Sequence, residues 1–363
     1  MTAPAPAPRA PAPPQAGTRT PRLLVVDLAA TSRNWALPPW GAEAIHDAAP
    51  PGWRVEIVRA PATSDGDGGA TPSEETMRLV PEAEAYFGFG LARPVYFAAS
   101  RLRWVHSAAA GVAGLLFPEL VDSEVVLTNS AGVMAVPIAE HMLGGILHFL
   151  RSFDRAIEQQ RAGRWDKAPF VAEGAKVREV GECRALIVGS GGIGGAIAER
   201  LSALGASCVG VRRRPELGAP KGFERVVGLE ALDDELAGAD ILVLAAPLTP
   251  ATERLLTAAR LDRLPPDAIV VNVARGALVD EEALADRLAT GRLRGAVLDV
   301  FSREPLAASS RLWQLPQALV TPHVAAVSPR RFWTRELALF LENWRLYDAG
   351  EPLRNVVDKH AGY

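Results

Sequence analysis

Three side chains able to bind or move charge follow short apolar runs in the second half of the chain: Arg275 in NVARGALVDEEAL, Glu304 in LDVFSREPL and His323 in VTPHVAAVSP. A guanidinium can hold a carboxylate or carbonyl oxygen through several fixed donors. An imidazole can move a proton near neutral pH, and a carboxylate beside it orients the ring. Singly, each has an ordinary structural reading as a surface charge, a helix-start carboxylate or a loop histidine. Together they fall just past predicted strand ends on one edge of a parallel sheet, where open α/β sheets bind ligands.

The element that must carry such a sheet is the stretch ALIVGSGGIGGAIAERLSAL, residues 185–204. Four apolar residues run into a glycine cluster, and Ile193, Ile197, Leu201 and Leu204 then recur at helical spacing, so the stretch reads as buried strand, tight turn and helix. Gly189, Gly191 and Gly194 occupy the G-x-G-x-x-G positions, with Gly192 and Ile193 between them. This pattern lets a pyrophosphate approach the backbone at a helix N-terminus. Regular βα alternation follows, with strands predicted at 207–211, 225–227, 241–244, 268–273, 295–300 and 318–321. Upstream, short strands at 23–28, 54–58, 85–89, 102–107 and 125–128 alternate with helical stretches and predict a first parallel-sheet domain. One long helix is predicted from about 136 to 163, and a surface loop over 62–72. The last helix, 329–349, follows the nucleotide-type fold and is expected to pack back on the first domain.

Composition narrows the function classes. The 363 residues suit two domains, and a net charge of -3 with no polybasic run argues against a nucleic-acid surface. The two cysteines, Cys183 and Cys208, lack CxxC spacing, and the six histidines show no metal-ligand spacing. A cytoplasmic protein without a metal is therefore expected. The most apolar window, 133–150, contains Pro137, Glu140, His141 and His148, which argues against a membrane span. Residues 1–21, mostly alanine and proline, are expected to be a disordered tail, with no continuous apolar region of a signal peptide.

The motifs WVHSAAAGV, NSAGVMAVPIAEHML, IVGSGGIGGAIAERL, LAAPLTPATERLL, NVARGALVDEEAL, AVLDVFSREPL and TPHVAAVSP occur in this order. Through them the chain, from about Arg22 to Asp358, resembles the D-isomer-specific 2-hydroxyacid dehydrogenase family. The resemblance implies a two-domain α/β fold, a Rossmann-type nucleotide-binding domain (129–323) inserted into a flavodoxin-like substrate domain (22–128 and 324–363), with the active site in the cleft between them. It further implies a homodimer and the exchange of a hydride between NAD(P)H and a small 2-oxo acid.

The family's roles carry over position by position. Arg275 would hold the substrate's carboxylate and carbonyl oxygen, His323 would be the general acid and base, and Glu304 its partner. Ala110 and Gly111 match positions whose backbone N–H groups meet the substrate carboxylate. Asp299 matches a residue that contacts the nicotinamide amide, and Ala246, Pro247, Thr252, Val273 and Ala274 match cofactor-lining loops. One departure bears on the cofactor. Where NAD-dependent members carry an acidic residue for the ribose 2′-OH, this chain has Arg212, Arg213 and Arg214. Arginines attract a 2′-phosphate, so NADP is expected, with NAD possible. At about 1.5–3 kcal/mol per charge-assisted bond, the preference would be roughly ten- to a few hundred-fold. Glu304 disfavours a formate dehydrogenase, whose histidine pairs with glutamine. The alternative reading is a dinucleotide-sensing, corepressor-like binding protein without significant turnover.

Overall fold

The computed structural model describes residues 21–32, 34–61, 63–64 and 70–362. The predicted tail lies outside the described residues, apart from its last position. Two compact units divide the described residues, one comprising those up to Val133 together with those from Ser328 onward, the other Met134–Val327.

In the first unit, strands β1 (Arg22–Asp27), β2 (Trp53–Ile57), β3 (Thr63–Ser64), β4 (Ala70–Thr71), β5 (Ala83–Gly88), β6 (Trp104–Ser107) and β7 (Val126–Asn129) occur in chain order. Five of them form a parallel sheet in the order β2-β1-β5-β6-β7. The remaining two, β3 and β4, pair antiparallel, so the segment read as a plain loop contains a two-residue ribbon at each end. β1 and β5 are buried on both faces, as the apolar run of β1 requires, and β5 buries Glu84 as well. One face is covered by an aliphatic cluster including Val25, Val95, Leu115 and Leu127. The helix Phe332–Ala349 belongs to this unit and stacks Phe340 on Phe87 at 3.9 Å between ring centres, with Trp104 next in the pile.

The second unit is a single parallel sheet of seven strands: β8 (Arg184–Val188), β9 (Ser207–Val211), β10 (Arg225–Val227), β11 (Ile241–Leu244), β12 (Ile269–Asn272), β13 (Gly295–Leu298) and β14 (Ala318–Val320). The order β10-β9-β8-β11-β12-β13-β14 reverses direction beside β8, which puts the topological switch at the glycine turn. Both faces carry apolar cores. On one of them the helix Ala135–Leu150 comes so close to β13 that a Cβ on Gly145 would meet Val297 at 2.5 Å.

The single long helix predicted over 136–163 is corrected to two, Ala135–Leu150 and Phe153–Arg161. Ser152 between them adopts a left-handed backbone with φ 56°. Arg294, almost fully buried, makes two hydrogen bonds to the Asp154 carboxylate (2.9 and 2.8 Å) and one to Ser152 Oγ. Its guanidinium also lies 5.4 Å from the Phe149 ring centre. Asp154 sits in the first turn of the second helix, where a negative charge is favoured, and this buried contact outweighs continuous helix propensity.

Both cysteines are free and buried, and desolvation pushes each thiol up to about 11. Among the described residues no helix is long and apolar enough to cross a membrane, and no group of three or more His, Cys, Asp or Glu is placed to hold a metal ion.

Candidate active site

The turn after β8 closes because two of its glycines have no room for a side chain. Gly189 has φ +97°, and a Cβ there would lie 2.6 Å from Ala245 O. On Gly194 it would lie 1.8 Å from Gly189 O. At Gly191, by contrast, a Cβ would meet nothing within 4 Å. That open space lies at the N-terminus of the helix Gly192–Ala203, which contains Gly192 and Ile193 and presents unpaired N–H groups and a positive dipole end. The residues therefore fit a pyrophosphate.

The neighbouring strand ends are stapled locally. Asn272, buried at the end of β12, accepts from Ala274 N–H (3.1 Å) through its side chain and donates to Arg275 O (3.0 Å). Val273 and Ala274 are buried in this turn, and Arg275 donates from Nη1 to Ala274 O at 2.8 Å. After β11, Thr252 donates to Pro247 O (2.7 Å) and accepts from Thr249 N–H (2.8 Å), closing the loop that carries Ala246 and Pro247. At the end of β9, Arg212 donates to Gly218 O at 3.2 Å; Arg213 and Arg214 are exposed beside it.

Glu304 and His323 come together although 19 residues separate them: His323 Nδ1 lies 2.7 Å from Glu304 Oε2. An ionised carboxylate only accepts, so, paired with one, Nδ1 is the donor of this bond. The other carboxylate oxygen, Oε1, accepts from Phe301 N–H at 2.9 Å. The pair is thus oriented from the backbone, while both side chains stay partly exposed, 44% for His323 and 36% for Glu304. Arg275 is brought to the same loop by its neighbour. A Cβ on Gly276 would lie 1.8 Å from the Phe301 carbonyl carbon, so the Arg275–Gly276 backbone passes directly against 301–302.

What holds His323 was not visible in the sequence. His323 has φ 54°, an unusual backbone for a side chain larger than glycine. Asp299, buried at the end of β13, fixes it: its Oδ1 accepts from Thr321 Oγ1 (2.6 Å) and Val324 N–H (2.9 Å), and its Oδ2 from Ala325 N–H (2.9 Å). Asp299 O also accepts from His323 N–H at 2.9 Å. The residue matched by resemblance to a nicotinamide contact is therefore also the clamp of the histidine loop. A further support missed in the sequence is His141, whose Nε2 lies 3.2 Å from Thr321 Oγ1. The sequence signal available was an acidic residue at a strand end followed by a histidine loop, which does not specify which N–H groups the acid will collect. In the first unit, Ala110 and Gly111 lie in the partly exposed loop after β6.

A family model described as "D-isomer specific 2-hydroxyacid dehydrogenase, NAD binding domain" matches residues 143–325. The glyoxylate/hydroxypyruvate reductase A of Salmonella newport is 32% identical over 274 residues, 73% of this chain and 83% of the relative. The chain belongs to the D-isomer-specific 2-hydroxyacid dehydrogenase family. Among solved structures, a family member from Xanthobacter autotrophicus in complex with NADPH and MES is 32% identical, with a TM-score of 0.75 over 95% of this chain and 100% of that one. An NADPH-dependent glyoxylate/hydroxypyruvate reductase from Sinorhizobium meliloti, in complex with NADP and sulfate, is 28% identical, with a TM-score of 0.73 over 94% and 100%. This 2-hydroxyacid dehydrogenase is accordingly an oxidoreductase acting on CH–OH donors with a nicotinamide cofactor.

If Asp299 sets the histidine loop, Asp299→Asn, which puts a donor where an N–H already points, should lower kcat by about 10- to 100-fold, the equivalent of about 1.4–2.8 kcal/mol. Steady-state kinetics and a thermal melt on the same sample check this; an unchanged kcat would remove the clamp from the account.

Proposed function

We propose that this dehydrogenase works as an NADPH-preferring reductase of small 2-oxo acids, of the glyoxylate or hydroxypyruvate type, forming D-2-hydroxy acids. The observation that carries the reading is the Glu304–His323 pair at 2.7 Å on the strand edge that also bears Arg275. In reduction, His323 gives its Nε2 proton to the ketone oxygen; in oxidation it takes the hydroxyl proton. Glu304 keeps the ring turned and balances the imidazolium. Arg275 holds the carboxylate and the carbonyl oxygen, a task suited to a planar guanidinium. Ala110 and Gly111 receive the carboxylate on backbone N–H groups. The bound nicotinamide supplies the hydride.

The cofactor would be held by Gly189, Gly191, Gly192, Ile193 and Gly194 at the pyrophosphate. Ala246, Pro247, Thr252, Val273, Ala274 and Asp299 would lie along the rest. Arg212 and Arg213 at the end of β9 supply positive charge where an acidic residue would repel a 2′-phosphate. The NADPH and NADP complexes of the Xanthobacter and Sinorhizobium relatives support this choice. The buried, unpaired thiols suit a reducing cytoplasm.

We also propose a homodimer. Four large apolar side chains are exposed within one short segment: Phe153 (52%), Ile157 (38%), Trp165 (90%) and Val171 (75%). Such a concentration is expected of a surface that a second copy covers. Sedimentation equilibrium should return twice the chain mass, and a monomer at micromolar concentration would reject the dimer.

The enzymatic reading is tested by a spectrophotometric screen of glyoxylate, hydroxypyruvate, pyruvate, phenylpyruvate and branched 2-oxo acids with each reduced cofactor. A small 2-oxo acid should be reduced with kcat/KM at least about tenfold higher for NADPH than for NADH, and replacing Arg212 and Arg213 by alanine should narrow that ratio. Equal or better use of NADH would overturn the cofactor preference. Nucleotide binding without turnover of any acid would overturn the reductase.

A further inference from the structure

Beneath the loop 107–111 of the first unit lies a polar cluster sealed from solvent. His106, Ser107, Thr128, Ser130 and Glu336 are all at 0% exposure. Glu336, on the helix Phe332–Ala349, accepts through Oε1 from Ser130 Oγ (2.8 Å) and lies 3.3 Å from His106 Nε2. His106 Nδ1 is 2.7 Å from Thr128 Oγ1, which also accepts from Trp104 Nε1 at 3.0 Å. Glu336 Oε2 has no hydrogen-bond partner among the described residues. Burying a carboxylate this way is costly, and an apolar residue would fill the same space more cheaply.

The cluster reaches the loop above it. Ser130 Oγ lies 2.7 Å from Ser107 O, Ser130 N–H donates to Ala109 O at 3.2 Å, and Asn129 Nδ2 donates to Ala110 O at 2.8 Å. Ala109 N–H is turned back onto Ser107 Oγ at 3.2 Å. A peptide unit is planar, with its C=O and N–H pointing opposite ways. Fixing the Ala109 carbonyl therefore aims the Ala110 N–H away from the cluster, and fixing the Ala110 carbonyl does the same for Gly111 N–H. Neither of these N–H groups donates to a described residue. Two adjacent donors, held from behind and open in front, match the two oxygens of a carboxylate.

We infer that Asn129 and the buried Ser130–Glu336 pair are positioning residues for substrate carboxylate binding, because they fix the two peptide planes that present Ala110 N–H and Gly111 N–H. The inference rests on the 2-oxo acid reading above. Asn129 holds one plane through its side chain. Ser130 holds the other through its backbone, and Glu336 holds Ser130 in place. His106 meets the same carboxylate oxygen through Nε2. None of these residues touches the substrate.

Asn129→Ala and Ser130→Ala separate this role from ordinary stabilisation. For each, KM for glyoxylate and kcat are measured with NADPH, the NADPH Kd is taken from cofactor fluorescence, and hydrogen–deuterium exchange is followed over 107–112 and over β5. The expected result is a KM raised about tenfold with kcat and NADPH Kd within about threefold, the pattern of lost binding shared by ground and transition states. Exchange over 107–112 should quicken while β5 keeps its protection. A merely structural role would lower the melting temperature and the active fraction but leave KM alone, and that result overturns the inference. If the wild type reduces no 2-oxo acid, the reductase reading has failed by itself. Exchange then decides the anchoring: quickened exchange over 107–112 supports it, and unchanged exchange overturns it.

Discussion

A single buried carboxylate, that of Asp299, gathers the segment that displays His323. Two backbone N–H groups and one hydroxyl converge on its oxygens, and its own carbonyl takes the histidine N–H. Hydrogen bonds to a charged group contribute about 1.5–3 kcal/mol each, enough to offset the roughly 1–2 kcal/mol cost of a left-handed backbone at a residue with a Cβ. Without that convergence the imidazole would have no reason to sit at φ 54° with Nδ1 against Glu304. The imidazole is placed by the polar groups of one strand end.

The rest of the second unit serves the same end by close approach. Gly276 lets the Arg275 turn pass against 301–302, and Phe301 N–H orients Glu304 from that same short segment. Asn272 locks the turn that carries Val273 and Ala274. The parallel sheet brings these turns to one edge, since β11, β12, β13 and β14 pair in register as neighbours. The candidate catalytic residues therefore sit on adjacent strand ends, although they are far apart in sequence. The first unit uses a comparable device. Peptide planes there are fixed from behind by Asn129 and Ser130, so that donors face outward.

Much of this was legible beforehand, because strong local patterns specify it. The continuous apolar run of β8 and the glycine spacing after it have one good solution, and the strands after it are short, buried and regularly spaced. The split of the long helix at Ser152 was not legible, because the cause, Arg294 reaching Asp154 and Ser152, lies 140 residues away. The clamp of Asp299 on 321–325 and the contact of His141 with Thr321 were hidden because periodicity reports which face is buried, not which polar atoms will meet. The Glu336 cluster is the extreme case. An acidic residue in an amphipathic helix reads as solvated, and only the fold places it at 0% exposure beneath a loop more than 200 residues earlier.

We propose that His323, held by Asp299 and oriented by Glu304, moves the proton while the nucleotide turn binds independently of it. The most direct measurement is the single-turnover rate of NADPH oxidation by a 2-oxo acid in His323→Ala, followed at 340 nm beside the fluorescence-derived NADPH Kd. The rate should fall by about 10²–10⁴-fold, as expected for loss of a general acid, with NADPH binding within about twofold of wild type. A rate within tenfold of wild type would contradict it.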